Sequence, residues 1–85
     1  MVKLEISLEG SLFWKVDRVI SRKYKPAVIW SNGDIRYYYN NDYHRLDGPA
    51  FLNVDGRKGW YVFGKRILAS SQEEFERYLK LLIFK

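Results

Sequence analysis

Three glycines spaced 23 residues apart, Gly10, Gly33 and Gly56, constrain this chain more than any other feature. Trp14, Tyr37 and Trp60 keep the same spacing, Pro26-Ala27 recurs as Pro49-Ala50, and Arg22 recurs as Arg45. A fixed period means that one supersecondary unit is built several times and stacked on itself. Aligned, LEISLEGSLFWKV, AVIWSNGDIRYYY and AFLNVDGRKGWYV share one pattern. Each has a short apolar run, a turn at Glu-Gly, Asn-Gly or Asp-Gly, and an aromatic second run, which is the signature of a β-hairpin.

The turn geometry follows from where the apolar residues must go. A two-residue turn at Asn32-Gly33 pairs Trp30 with Ile35 and scatters the apolar side chains over both faces. A three-residue turn with glycine in the left-handed position and a bulge beside it pairs Trp30 with Asp34 instead. One face then collects Leu4, Ile6, Leu8, Leu12, Trp14 and Val16 from the first copy. The second adds Ala27, Ile29, Ile35, Tyr37 and Tyr39, and the third Ala50, Leu52, Val54, Trp60 and Val62. A single register sorts all three copies, and a one-residue slip would undo all three.

The tail follows a different period. Ser70 or Ser71 is placed to cap a helix with Glu73 or Glu74 completing the S-x-x-E box, and early acids suit a helix N-terminus. Phe75, Tyr78, Leu79, Leu82 and Ile83 form a stripe at helical spacing, expected to cover the apolar sheet face. Leu81 and Phe84 lie off the stripe, as fraying positions or as a contact between two copies. The expected fold is therefore mostly β with one helix (α+β): an antiparallel meander of hairpin repeats 3–25, 26–48 and 49–69, then a C-terminal helix over 70–84. At 85 residues this makes one domain.

Composition narrows the function classes. Without cysteine there is neither a disulfide nor a thiolate zinc site, and a reducing compartment is allowed. Acids interrupt the N-terminal MVKLEISLEG, so it reads as no signal peptide, and no apolar run approaches the length of a membrane helix. The formal net charge of +5 lies wholly in residues 1–69, because the basic and acidic residues of the tail cancel. The densest stretch is KVDRVISRKYK, with Lys15, Arg18, Arg22, Lys23 and Lys25 against Asp17. Such a bias favours polyanions or acidic proteins as partners, or serves solubility.

Strand alternation sends the remaining side chains to the opposite face. These are Glu5, Ser7, Phe13 and Lys15, then Val28, Trp30, Arg36 and Tyr38, then Phe51, Asn53, Arg57, Tyr61 and Phe63. A solvated face is normally polar, whereas this one interleaves rings and cations. That mixture suits single-stranded RNA: rings stack on bases and cations follow phosphates. On this reading Trp30, Tyr38, Phe51 and Tyr61 supply the stacking. Lys15, Arg36 and Arg57 contact phosphate within the sheet, and Arg18, Arg22, Lys23 and Lys25 extend the basic track. Three other readings stand beside it: a second copy covers the rings in a homodimer, a protein target covers them, or cross-strand ring pairs stabilise a thin sheet.

HRLDGPA (44–50) followed by DGRKGWYVFGKR (55–66) resembles the short MORN-like hairpin repeats of tailed bacteriophages and large DNA viruses. The third copy carries most of the likeness, at Asp47, Gly48, Pro49, Ala50, Asp55, Gly56, Trp60, Tyr61, Gly64 and Lys65. The second keeps Pro26, Ala27, Asn32, Gly33 and the closing His44-Arg45 but has Lys25 where the pattern has glycine. The first keeps little beyond Gly10 and Trp14, as a capping repeat does. The resemblance implies a phage protein acting in the host bacterial cytoplasm. In size and character the chain is similar to phage RNA-binding proteins that disable a host antiviral defence by inhibiting an endoribonuclease toxin of a toxin–antitoxin system. The alternative is a direct protein–protein inhibitor or a structural repeat module without nucleic acid.

No enzyme is expected, and no cofactor or metal. His44 is the only histidine, and at a repeat-closing position it reads as a turn-orienting hydrogen-bonder. Asp42, His44 and Asp47 invite misreading as metal ligands, but Asp47 before Gly48-Pro49 has the simpler task of accepting turn N–H groups. Neither a phosphate-binding glycine loop nor a nucleophile elbow occurs.

Overall fold

The computed structural model describes residues 1–83, the Ile83 side chain excepted. The three glycine turns take the bulged three-residue form. Trp30 donates its N–H to the Asp34 carbonyl (2.9 Å), Gly33 donates to Trp30 (2.8 Å), and Gly33 has φ +98°. The same bonds recur at Ser7–Ser11 with Gly10 and at Asn53–Arg57 with Gly56. The hairpins are β1 (Val2–Ile6) with β2 (Leu12–Val16), β4 (Val28–Ile29) with β5 (Ile35–Arg36), and β8 (Phe51–Leu52) with β9 (Lys58–Val62). They join edge to edge through β2–β4 and β5–β8 into one antiparallel sheet.

Two rows of cross-strand neighbours run the length of this sheet. On one face lie Ile6, Leu12, Ile29, Ile35, Leu52 and Lys58. On the other lie Glu5, Phe13, Val28, Arg36, Phe51 and Gly59.

Each copy also contains a second, smaller hairpin that the glycine pattern does not announce. These are β2 with β3 (Val19–Ile20), β6 (Tyr38–Tyr39) with β7 (Asp42–Tyr43), and β9 with β10 (Lys65–Ile67). Their two-residue turns are Asp17-Arg18, Asn40-Asn41 and Phe63-Gly64, again 23 residues apart. All six residues have positive φ, as the primed hairpin turn requires.

Side chains latch each copy to the next. The Ser11 hydroxyl accepts the Ser31 N–H (2.9 Å), and one period later the Asp34 carboxylate accepts the Val54 N–H (2.9 Å). In the small hairpins the Ser21 hydroxyl accepts the Asn40 N–H (3.0 Å), and His44 Nδ1 accepts the Phe63 N–H (2.9 Å).

The helix, α1, runs over Gln72–Ile83, inside the expected 70–84; the expectations for the Ile83 side chain and for Phe84 lie outside the described residues. Ser71 is its cap: its hydroxyl accepts the Glu74 N–H and its carbonyl accepts the Phe75 N–H. The expectation that the stripe covers the whole apolar face is corrected. Twelve residues of helix span about 18 Å, whereas the molecule measures 44 × 30 × 16 Å. Phe75, fully buried, packs with Trp60 and Ile67, flanked by Val62, Ala69 and Leu79. Trp60 also donates its indole N–H to Gln72 (2.8 Å). Tyr78 and Leu82 stay exposed, and so do Leu4, Ile6 and Leu8 of the first copy and Val54 in the third glycine turn. Among the described residues no helix is long and apolar enough to cross a membrane.

Candidate nucleic-acid interface

The face expected to stack on bases is aromatic, but its rings largely cover one another. Phe13 meets Trp30 edge to face at 5.4 Å between centroids. Phe51, Tyr61, Tyr43 and Tyr38 form a continuous chain of ring contacts spaced 6.2, 5.0 and 4.7 Å. Phe51 lies flat over Gly59, where a Cβ would collide with its ring. Val28, expected on this face, is buried between its cross-strand neighbours Phe13 and Arg36. Burial and the adjacent Tyr43 hold the Tyr38 hydroxyl well above the ordinary phenol range. Of the four expected stacking rings, Trp30 is 39% exposed, and Tyr38, Phe51 and Tyr61 are half-buried.

The cations of this face are also engaged. Lys15 pairs with Glu5 at 2.6 Å, and Arg57 pairs with Asp55 at 2.9 Å. Arg36 sits 5.3 Å from the Phe51 ring and donates to the Ile35 carbonyl. Arg18, exposed, lines a shallow trough with Lys3 and Lys15 against Glu5 and Asp17. Lys23 and Lys25 are exposed and make no ion pair among the described residues.

A second feature was not legible from alternation. Between the two repeat joints lies an open cleft of about 350 Å³, within the range of small-ligand pockets. Its floor is built by repeated chemistry. Arg22 stacks 4.2 Å from the Trp14 ring and donates to the Pro26 carbonyl. One period later Arg45 stacks 3.9 Å from the Tyr37 ring and donates to the Pro49 carbonyl. Asp47 binds Arg45 at 2.8 Å, and this bond holds the Asp47 carboxyl below the usual carboxylate range. A Cβ at Gly48 would collide with the Arg45 guanidinium, so glycine there lets the side chain lie flat.

The walls of the cleft are aromatic. Phe63 stacks on His44 at 4.0 Å with the rings 22° apart, and Tyr39 stands against both. Tyr24 and Phe63 are 85% and 63% exposed, and both have positive φ (62° and 46°). Bulky side chains are rare in that region and cost about 1–2 kcal/mol there. The turn positions equivalent to Phe63 hold Asp17 and Asn40, residue types that tolerate it. Two strained, exposed rings thus border one basic cleft, a combination that points to function.

Arg22 and Lys23 line this cleft, whereas Trp30, Tyr38, Phe51 and Tyr61 do not. Sequence reasoning missed Tyr24, Tyr39 and Phe63 as site residues; the Trp14/Tyr37 and Arg22/Arg45 recurrences were the available signal. His44 orients the next turn through Nδ1, and burial lowers its pKa. No family model matches the chain, and no curated protein or solved structure matches it either.

Proposed function

We propose that this protein binds single-stranded RNA without catalysing a reaction on it. In a phage-infected bacterial cytoplasm this binding would serve to antagonise a host defence, by inhibiting an endoribonuclease toxin of a toxin–antitoxin system. The RNA part is carried by one observation: the exposed rings of Tyr24 and Phe63 flank a cleft lined by Arg22, Lys23 and Arg45. An unstacked base would lie against the rings while its phosphates meet the cations. Lys25 and Arg18 extend the positive surface, and Trp30 offers a further ring at a distance from the cleft. The anti-defence part is supported by the resemblance of the HRLDGPA pattern to phage repeats. A second reading, protein–protein inhibition without nucleic acid, is favoured by the uncovered apolar side chains Ile6, Leu8 and Val54.

The test is titration of a fluorescent single-stranded RNA at several salt concentrations. The affinity should fall linearly with salt on logarithmic axes, reflecting several phosphate contacts. Tyr24→Ala should weaken binding about tenfold, the worth of one stacked base, with little change in stability. No binding at low salt removes the RNA reading. Suppression of toxin growth arrest by wild-type protein, lost in Tyr24→Ala, tests the defence reading; suppression untouched by variants that cannot bind RNA favours direct protein contact.

A further inference from the structure

The sheet begins at β1, and its outer edge differs from those of the other leading strands. β4 and β8 each pair outward with the preceding hairpin, whereas β1 pairs only with β2 among the described residues. The direction of its free backbone groups follows from its neighbour. Trp14 donates its N–H to Ala27 and accepts from Ser21, both on the far side of β2, so the Leu4–Trp14 pair exchanges no hydrogen bonds. Leu4 therefore points its own N–H and C=O at the open edge, and by alternation so do Val2 and Ile6. Lys3 and Glu5 point theirs inward.

We propose that this edge is a dimer interface, in which β1 of one copy pairs antiparallel with β1 of a second copy about a two-fold axis at Leu4. Charge selects the register. A two-fold centred on Lys3 sets lysine against lysine, and one centred on Glu5 sets glutamate against glutamate. Centring on Leu4 sets Lys3 opposite Glu5 of the second copy, twice, at non-hydrogen-bonded positions where side chains come closest. The outward groups of Val2, Leu4 and Ile6 then satisfy one another across the axis. Val2, Leu4 and Ile6, which are 49%, 47% and 66% exposed, meet their counterparts on the apolar face. An exposed edge strand of this length normally carries a proline, a bulge or an inward charge to block such pairing. β1 has none of these, and its only lysine is the one this register complements. The inference is independent of the RNA reading.

Sedimentation equilibrium of the full chain, from micromolar to submillimolar concentration, tests it. Wild-type protein should show a monomer–dimer equilibrium. Lys3→Glu sets acid against acid, and Glu5→Lys sets base against base; each should weaken association at least about tenfold. Lys3 makes no ion pair among the described residues, so Lys3→Glu spares the fold, which circular dichroism verifies. An equimolar mixture of the two variants should regain dimer, because an all-acidic strand then meets an all-basic one. Leu4→Pro removes an edge-facing N–H that the β1–β2 ladder does not use, and should abolish the dimer. A monomer at every concentration overturns the proposal. So does a dimer indifferent to Lys3→Glu and Leu4→Pro, or a mixture that stays monomeric.

Discussion

Mild acid should loosen the joint between the second and third copies through His44. Its Nδ1 accepts the Phe63 N–H at 2.9 Å, so the folded ring is neutral with its proton on Nε2. Protonation turns Nδ1 into a donor facing another donor. Burial also disfavours the imidazolium, holding the His44 pKa below its ordinary 6.5. The unfolded chain therefore takes up the proton first as the pH falls. Stability is whole above about pH 6.5 and declines as the pH drops from there towards the folded pKa. Asp47 and Asp55 do not confuse this interval: hydrogen bonds from Arg45 and Arg57 hold both carboxyls below their ordinary range, so their contributions fade only in stronger acid.

The magnitude follows from one side-chain-to-backbone hydrogen bond on a half-buried ring, about 1 kcal/mol. In a domain this small that shifts the melting temperature by about 4–8 °C. Thermal melts between about pH 7.5 and pH 5 read it directly. The control comes from the repeat itself: Ser21 occupies the equivalent position, and its hydroxyl accepts the Asn40 N–H. His44→Ser keeps an acceptor and removes the titration, so its melting temperature should stay level across the same interval. A wild-type melt that does not move, or a serine variant that falls equally, refutes the reasoning.

Phe75→Ala should cost about 3–5 kcal/mol, as for other buried phenylalanines, with a red-shifted tryptophan emission as Trp60 is wetted; a loss under about 1 kcal/mol would mean that the helix is not anchored there. Gly59→Ala drives a methyl into the Phe51 ring and should destabilise by about 1–3 kcal/mol in denaturant titrations. Asp34→Ala removes the acceptor of the Val54 N–H, and hydrogen exchange should quicken at that amide by about tenfold while the first hairpin keeps its protection.

The large hairpins were legible because Gly10, Gly33 and Gly56 occupy positions that demand a left-handed residue, and because one register gave all three copies the same apolar face. The small hairpins were not. Their strands are mostly two or three residues long, too short for alternation to register, and Arg18 and Phe63 are not turn-forming residues. The helix stripe identified which side of α1 is apolar; it carried no information on how far along the sheet that side reaches. Alternation did place Phe13, Arg36 and Phe51 on one face of the sheet, as the cross-strand row shows. What alternation cannot see is that neighbouring rings bury one another, or that two joints 23 residues apart enclose a cleft with Tyr24 and Phe63 at its border.

The latch between copies also fixes how long such an array can be. Ser11 and Asp34 hold the next turn because each presents an acceptor oxygen. The third copy has Arg57 at that position, a side chain with donors only, occupied by its own Asp55. A fourth hairpin would find no oxygen to dock on, and β10 and the helix already fill the space beside Trp60. The exchange of one acceptor for one donor thus removes the docking point beyond the third hairpin, whereas the outer edge of β1 has no partner strand among the described residues.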